Sequence, residues 1–501
     1  MPTTIFVASA GTGKTTALMD HLELALQESS PDRIMFTTFT NAGADEAIER
    51  ALSNHPQHSR EDFRYFRTMH SIAYRAIPYR KMINRADLAA FGREIGYPIS
   101  GTSMDKQEGI TARMLPGDVL IALDSIARSS LMAGKQVAGM QDSSHFPPET
   151  IDEFIESYRK YRRSIRKYDF TDQLENYRNQ LLHNPLTLDW LFVDEAQDLS
   201  TLQWAIVKEL SKTTKRVVIA GDDKQSIYKF TGADPQNLID YEGERIVLQQ
   251  SYRLPEIILN LAEKVADRIQ VKQTYTVTPA TTGGEVTVVA DIRSLDLSKD
   301  TWFFLARNRK FLPFFEQDLL KQQYLFVSDG NSILPENLLP CIQAWEELRM
   351  GHAIPMSYAK EVYRNYLPTG PGVKRGFKKI LDAMNDRDFV TKDELINNYG
   401  LQDTRPALQS FNLPPYLHTL LTNTKDDLSL PPRIKLSTIH GVKGQEADHV
   451  VVLPDMSPKT WSHFHRDPDS EHRVFYVGIT RARKTVYLHK PLTNESYNFP
   501  T

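Results

Sequence analysis

Ala8-Ser9-Ala10-Gly11-Thr12-Gly13-Lys14-Thr15 decides how this chain is read, because it joins an apolar run at residues 4–8 to a helix-like segment at residues 16–27. Glycines 11 and 13 let successive backbone N–H groups wrap an anion, and the following helix turns the positive end of its dipole to the same point. In that setting Lys14 is placed to reach the β- and γ-phosphates of a nucleotide, and the Thr15 hydroxyl to bind magnesium. The strict form of the pattern has glycine where Ala8 stands.

Further apolar runs at residues 34–37, 190–193 and 216–220 each end in polar or glycine-rich residues, with helical segments between them. Such runs are expected of buried parallel strands, and their alternation with helices predicts a doubly wound α/β sheet with functional loops at the strand C-termini. After Tyr252 a second α/β set follows, with strands expected at residues 285–290, 302–306, 434–437, 450–453 and 485–488. Residues 74–168 change to helical segments such as 119–133 and 149–161, and the proline-rich stretch 334–428 interrupts the second set. The expected organisation is therefore a first lobe at 1–73 and 169–252 with a helical insertion at 74–168. A second lobe follows at 253–333 and 429–501 with a short insertion at 334–428.

A length of 501 residues, 41% of them hydrophobic, is enough for several buried cores. No apolar run approaches the roughly 20 residues of a membrane span, and no signal peptide precedes the first strand, so a cytoplasmic protein is expected. Cys341 is the sole cysteine, which excludes an internal disulfide and a thiolate zinc site. The net charge of −3 excludes a surface coated with basic residues but leaves room for a local basic groove. One dense basic run, Arg159, Lys160, Arg162, Arg163, Arg166 and Lys167 with Tyr161 and Tyr168 among them, reads either as a solvated helix face or as a phosphate-contacting surface.

Two more strand ends carry chemistry. Leu191-Phe192-Val193-Asp194-Glu195 ends an apolar run in paired carboxylates, Asp194 to hold magnesium through water and Glu195 to polarise an attacking water. Gly221-Asp222-Asp223-Lys224-Gln225-Ser226 ends another, where Gln225 could touch both a γ-phosphate and a bound strand.

With these residues in place the chain resembles superfamily 1A helicases, the UvrD, Rep and PcrA family, across nearly its whole length. The phosphate loop 8–16, which adds Thr16, is followed in order by TTFTNAGADEAIER (37–50), RTMHSIA (67–73), VDEAQDLSTLQ (193–203), GDDKQSIYKFTGA (221–233), QQSYR (249–253), LSTIHGVKGQEADHVVV (436–452) and FYVGITRAR (475–483). The resemblance implies two RecA-like lobes, ATP and Mg2+ as cofactors, and 3′→5′ movement on single-stranded DNA. It implies that Arg253 and Arg481 meet the γ-phosphate, where a planar guanidinium matches spreading phosphoryl charge. Tyr252 resembles the residue that stacks on adenine and Glu446 the carboxylate that binds ribose, while Gly444 would allow close backbone approach. On the DNA face the matching positions are Phe39, Thr40, Asn41, Thr68 and His70, then Tyr228 and Phe230 as stacking aromatics, with Thr438 and His440 as second-lobe counterparts.

Several positions depart from the family pattern. No room is expected upstream for the glutamine motif that reads adenine, Phe230 stands where tryptophan is usual, Met69 where phenylalanine is, and Thr16 and Thr231 where arginine is common. The second insertion, at roughly 90 residues, is much shorter than that of the larger relatives. The expected function is an ATP-driven helicase or translocase acting on single-stranded DNA and its junctions with duplex. The alternatives are a translocase subunit that needs a nuclease, repair or replication partner to unwind, and a nucleotide-gated binding module without productive hydrolysis.

Overall fold

The computed structural model describes residues 2–77, 81–105, 107–110, 114–140, 146–424, 426–428 and 430–500. Small parts of both expected insertions, around 78–80, 106, 111–113, 141–145 and 425, lie outside the described residues, as does residue 429 at the expected edge of the second insertion. The chain divides into two compact units, the first made of Met1–Val288, Ile439–Glu446 and Pro454–Thr501, the second of Val289–Thr438 and Ala447–Leu453.

The first unit is built on a six-stranded sheet in the order Phe66–Arg67, Ile34–Thr37, Leu188–Val193, Thr214–Gly221, Thr3–Ala8, Glu244–Leu248. Every pairing in it is parallel. The apolar runs are continuous because both faces are covered. Leu191 and Val193 point into a core with Trp204 and Ile219, while Trp190 and Phe192 point into another with Phe36 and Val218. The four runs expected as strands in this half are strands, each equal to its apolar stretch or up to three residues longer. The edge strands Phe66–Arg67 and Glu244–Leu248 were not anticipated: two residues show no period, and the second is half exposed and opens on charge.

The stretch read as a helical insertion carries helices Arg85–Ile95, Pro116–Ser130, Gly134–Met140 and Pro148–Ser164. They close over Phe91, Leu120, Leu123, Phe154 and Tyr158. Where the insertion leaves and rejoins, Lys81–Met82 pairs in parallel with Lys167–Tyr168.

In the second unit the strands run in the order Asn331–Ser332, Phe326–Ser328, Ile434–Thr438, Trp302–Ala306, Ala447–Val452, parallel except at the short terminal hairpin. The same unit holds the helices of residues 338–423, whose core centres on Trp345, Tyr363, Leu395 and Phe411, with Cys341 buried among them. In the first unit the strand Ala482–His489 neighbours the one that starts at Glu285. The architecture is α/β with parallel sheets.

Candidate nucleotide and nucleic-acid site

The phosphate loop lies in the first unit between the strand Thr3–Ala8 and the helix Lys14–Glu28. Gly11 and Gly13 take φ of 72° and 81°, which a side chain would resist. Gly11 is required for space as well: a Cβ there would stand 2.5 Å from that of Arg253. Thr12 braces the turn from inside, its hydroxyl accepting from Ser9 N at 3.2 Å and donating to Ser9 O at 3.0 Å. The segment bearing Arg253 is laced to the loop, with Tyr252 N donating to Gly11 O at 2.8 Å and Ser251 Oγ to Ala10 O at 3.1 Å. Tyr252 leaves its ring 76% exposed beside Gly13, as an aromatic surface open to a planar group.

Lys14 Nζ donates to Glu195 Oε2 at 3.2 Å. Burial works against the Lys14 charge, but Glu195, Asp222 and Asp194 outweigh it and hold its pKa above the ordinary value. Glu195 is half-buried, and although desolvation opposes its charge, Lys14 and Lys443 keep its carboxylate ionised and its pKa low. Asp194 is pushed the other way by burial and by the neighbouring Glu195 charge. Three carboxylates thus gather on one lysine, an excess of hard oxygen donors that suits a divalent cation bridging to phosphate. Asp194 with the Thr15 hydroxyl would hold such an ion, although among the described residues no three His, Cys, Asp or Glu side chains form a metal cage by themselves. Glu195 is at φ 49°, a strained non-glycine position of the kind that collects at working sites. Gln197 spans the site, donating to Glu195 and accepting from Asp222 N at 2.9 Å.

Gln225 is held from several sides. Its amide donates to Asp222 Oδ2 at 2.6 Å and accepts from Arg481 Nη2 at 3.0 Å, while its backbone carbonyl accepts from Lys443 Nζ at 2.6 Å. Lys443 also pairs with the buried Asp198 and lies over the Tyr228 ring at 5.0 Å. Arg481 is 2% exposed, and burial together with the nearby Arg253 charge presses its pKa downward. The helix Pro468–Ile479 carries Arg481 just beyond its end and ties to the loop through Tyr476 OH and Ser9 Oγ, 2.8 Å apart. Lys14, Asp194, Glu195, Gln225, Arg253 and Arg481 are therefore gathered in one region of the first unit. Ser9, expected in the phosphate loop, belongs to it, and so do Tyr476, Gln197, Lys443 and Arg483, which the sequence reading does not single out. Glu446 is engaged by Arg253 and Arg483 rather than standing free, and Gly444, at φ 82°, faces open space.

A second group of residues forms an aromatic ladder. Phe39 stacks on Tyr228 with centroids 5.0 Å apart at 20°, Tyr228 meets Phe230 edge-on at 6.1 Å, and Phe230 meets His440 at 5.8 Å. Phe39, Tyr228 and Phe230 are only partly buried, so they are not core aromatics, whereas His440 is 4% exposed. Thr40 and Thr68, matched to strand-contacting positions, cap helices here, accepting from Gly43 N at 3.2 Å and Ser71 N at 3.4 Å. Asn41 is exposed at the start of the first of these helices, and burial lowers the pKa of His70 on the second, which keeps it neutral. Thr438 is a buried residue at the end of its strand in the second unit.

The comparisons with known proteins agree with this geometry. The UvrD/REP helicase N-terminal domain matches residues 2–244 and the UvrD-like helicase C-terminal domain residues 388–491. The chain belongs to the UvrD/Rep helicase family. It is 26% identical over 303 residues to the ATP-dependent DNA helicase PcrA of Staphylococcus epidermidis, covering 56% of this chain and 40% of that protein. It is 29% identical over 289 residues to DNA helicase II of Haemophilus influenzae, covering 52% of this chain and 38% of the relative. The matched stretch thus spans well under half the length of these relatives.

Proposed function

We propose that the chain is an ATP-dependent DNA helicase that moves 3′→5′ along single-stranded DNA. In this reading two RecA-like lobes, at 1–73 with 169–252 and at 253–333 with 429–501, close and reopen in step with ATP turnover. The observation that carries it is the continuous chain of contacts from Lys14 through Glu195 and Gln197 to Asp222, Gln225 and Arg481. It joins a phosphate cradle, an ionised carboxylate and a guanidinium in one hydrogen-bonded system.

Each residue then has a physical task. Backbone N–H groups of residues 11–15 and Lys14 bind the triphosphate, and entry of the phosphates frees Glu195 from Lys14 to orient and deprotonate the attacking water. A magnesium ion on Thr15 and Asp194 would supply charge neutralisation at the β- and γ-oxygens. Arg253 and Arg481 meet charge as it develops on the transferred phosphoryl group. Tyr252 offers its exposed face to adenine, and Glu446 is the candidate for the ribose hydroxyls. Because Arg481 and Lys443 both hold Gln225, and Tyr228 lies three residues further on, a change at the phosphate is passed to the aromatic ladder. Stacking there contributes about 1–3 kcal/mol per base and tolerates any sequence, as a grip on successive bases requires. Asn41, Thr40, Thr68, His70 and Thr438 complete the expected strand contacts.

A smaller role is favoured by one feature, the compact second insertion: a translocase that unwinds only with a nuclease, repair or replication partner. The deciding experiment measures ATPase with and without single-stranded DNA, and strand displacement on 3′- and 5′-tailed duplexes by the protein alone. Stimulated ATPase with displacement only from 3′ tails is the expected outcome. Stimulation without displacement selects the partner-dependent translocase, and no stimulation sinks the motor. Among the described residues no helix is long and apolar enough to cross a membrane.

A further inference from the structure

The basic run at residues 159–167 is not a flat solvated face. It walls a cavity of about 360 Å³ on the helical insertion, between the helix Pro148–Ser164 and the helices Pro116–Ser130 and Phe170–His183. At roughly 30 Å³ per water, that is room for a hydrated phosphate group. Arg128 and Arg162 form its floor and are consumed by carboxylates: Arg128 reaches Asp169 at 2.8 Å, Asp172 at 2.6 Å and Glu175 at 2.8 Å, and Arg162 reaches Asp169 at 2.6 Å. With Asp124, four carboxylates share these two guanidinium groups, so the floor keeps a surplus of negative charge and an anion must be held at the rim. On the rim Arg159 pairs with Glu156, and Lys167 with Asp87 at 2.6 Å.

Arg163 and Arg166 are different. Both are exposed, both line the cavity, and neither guanidinium has a carboxylate partner among the described residues. Arg166 is moreover held at φ 52°, a left-handed conformation that an arginine enters at a cost, with its N–H bonded to Arg163 O at 3.2 Å. The chain turns sharply there instead of continuing the helix, and the turn leaves two unneutralised guanidinium groups at the mouth of a polar cavity. A planar guanidinium is the donor that suits phosphate oxygens in a bidentate grip.

We propose that this cavity is an oxyanion pocket for phosphate groups, with Arg163 and Arg166 as its gripping residues. The phosphate comes either from a nucleic-acid backbone crossing the insertion or from a free phosphorylated compound. In the first form the inference rests on the DNA-acting reading above.

The test uses the full chain in a Lys14→Ala background, so that phosphate binding at the nucleotide loop does not contribute, and compares it with the same chain carrying Arg163→Ala and Arg166→Ala. Tripolyphosphate binding is followed by calorimetry, and affinity for a labelled oligothymidylate across a potassium chloride series. If a DNA backbone is the ligand, the double change lowers the slope of log affinity against log salt by about 1 to 2, and Arg163→Lys with Arg166→Lys restores it. If a free phosphate compound is the ligand, the slope is unchanged and tripolyphosphate binding falls at least tenfold. A double variant that alters neither measurement overturns the pocket. Failure of the motor reading is seen separately, as absence of DNA-stimulated ATPase in the unaltered protein.

Discussion

Glu195 holds an ionised carboxylate in a half-buried, left-handed position, and removing its charge alone tests its task. Glu195→Gln is expected to keep ATP and DNA binding while lowering turnover by about 10²–10⁴, the usual contribution of a general base. Normal turnover would assign the base elsewhere. Lys14→Ala removes the cation that balances Glu195, Asp194 and Asp222, and should abolish both DNA-stimulated ATPase and unwinding in tailed-duplex assays. Phe230→Ala leaves Tyr228 and His440 without their edge-on neighbour, so it should raise the ATP consumed per base moved while the KM for ATP stays put. At this scale, what could be read from sequence lay in short motifs: Lys14, Glu195 and Gln225 each follow a strand whose local pattern announces them, while Arg481 is placed only by the resemblance of residues 475–483 to the helicase family. Tyr476 and Lys443 could not be read so, because their partners Ser9 and Asp198 lie hundreds of residues away along the chain. Thr40 and Thr68 carry a visible capping pattern that the matched motif overshadowed.

Trp345 anchors the helices of the second unit, 1% exposed, with Nε1 donating to Arg405 O at 2.9 Å. Trp345→Ala should destabilise this core by about 3–5 kcal/mol, measurable by denaturant unfolding, and should spare ATP binding at the loop of the first unit. The helical insertion offers a pH test. Burial raises Asp124 to about 6 although Arg128 and Arg162 pull it down, and the charge of Asp169 adds to the rise. A carboxyl whose folded pKa lies above its unfolded value stabilises while protonated, and that contribution is lost as pH rises from about 4 through about 6. Asp124→Asn should flatten that part of the stability profile; an unchanged slope would assign the proton to another group. The long apolar strands were legible because burial on both faces leaves an unbroken run, whereas Phe66–Arg67 and Phe326–Ser328 are pairings too short to carry a period.

The first unit draws its residues from separate stretches of chain, and Arg473, Tyr476 and Arg481 arrive only with the last of them. A chain ended after Leu453 would lack all three, together with the helix Pro468–Ile479, which is buried from Glu471 to its end. Such a truncation is expected to lose ATP hydrolysis entirely and to be cut rapidly by protease across residues 1–288; retained turnover would show that the arginine is dispensable. Two α/β halves were legible from the order of strands and motifs, but the division of the chain into units was not, since it depends on which distant segments pack together. The lacing of Gly11 to Arg253 has a further consequence. A methyl group added at Gly11 would collide with the arginine's own Cβ before it reached any nucleotide. Damage to the cradle would therefore masquerade, in kinetics, as a broken finger: binding nearly spared, the chemical step crippled.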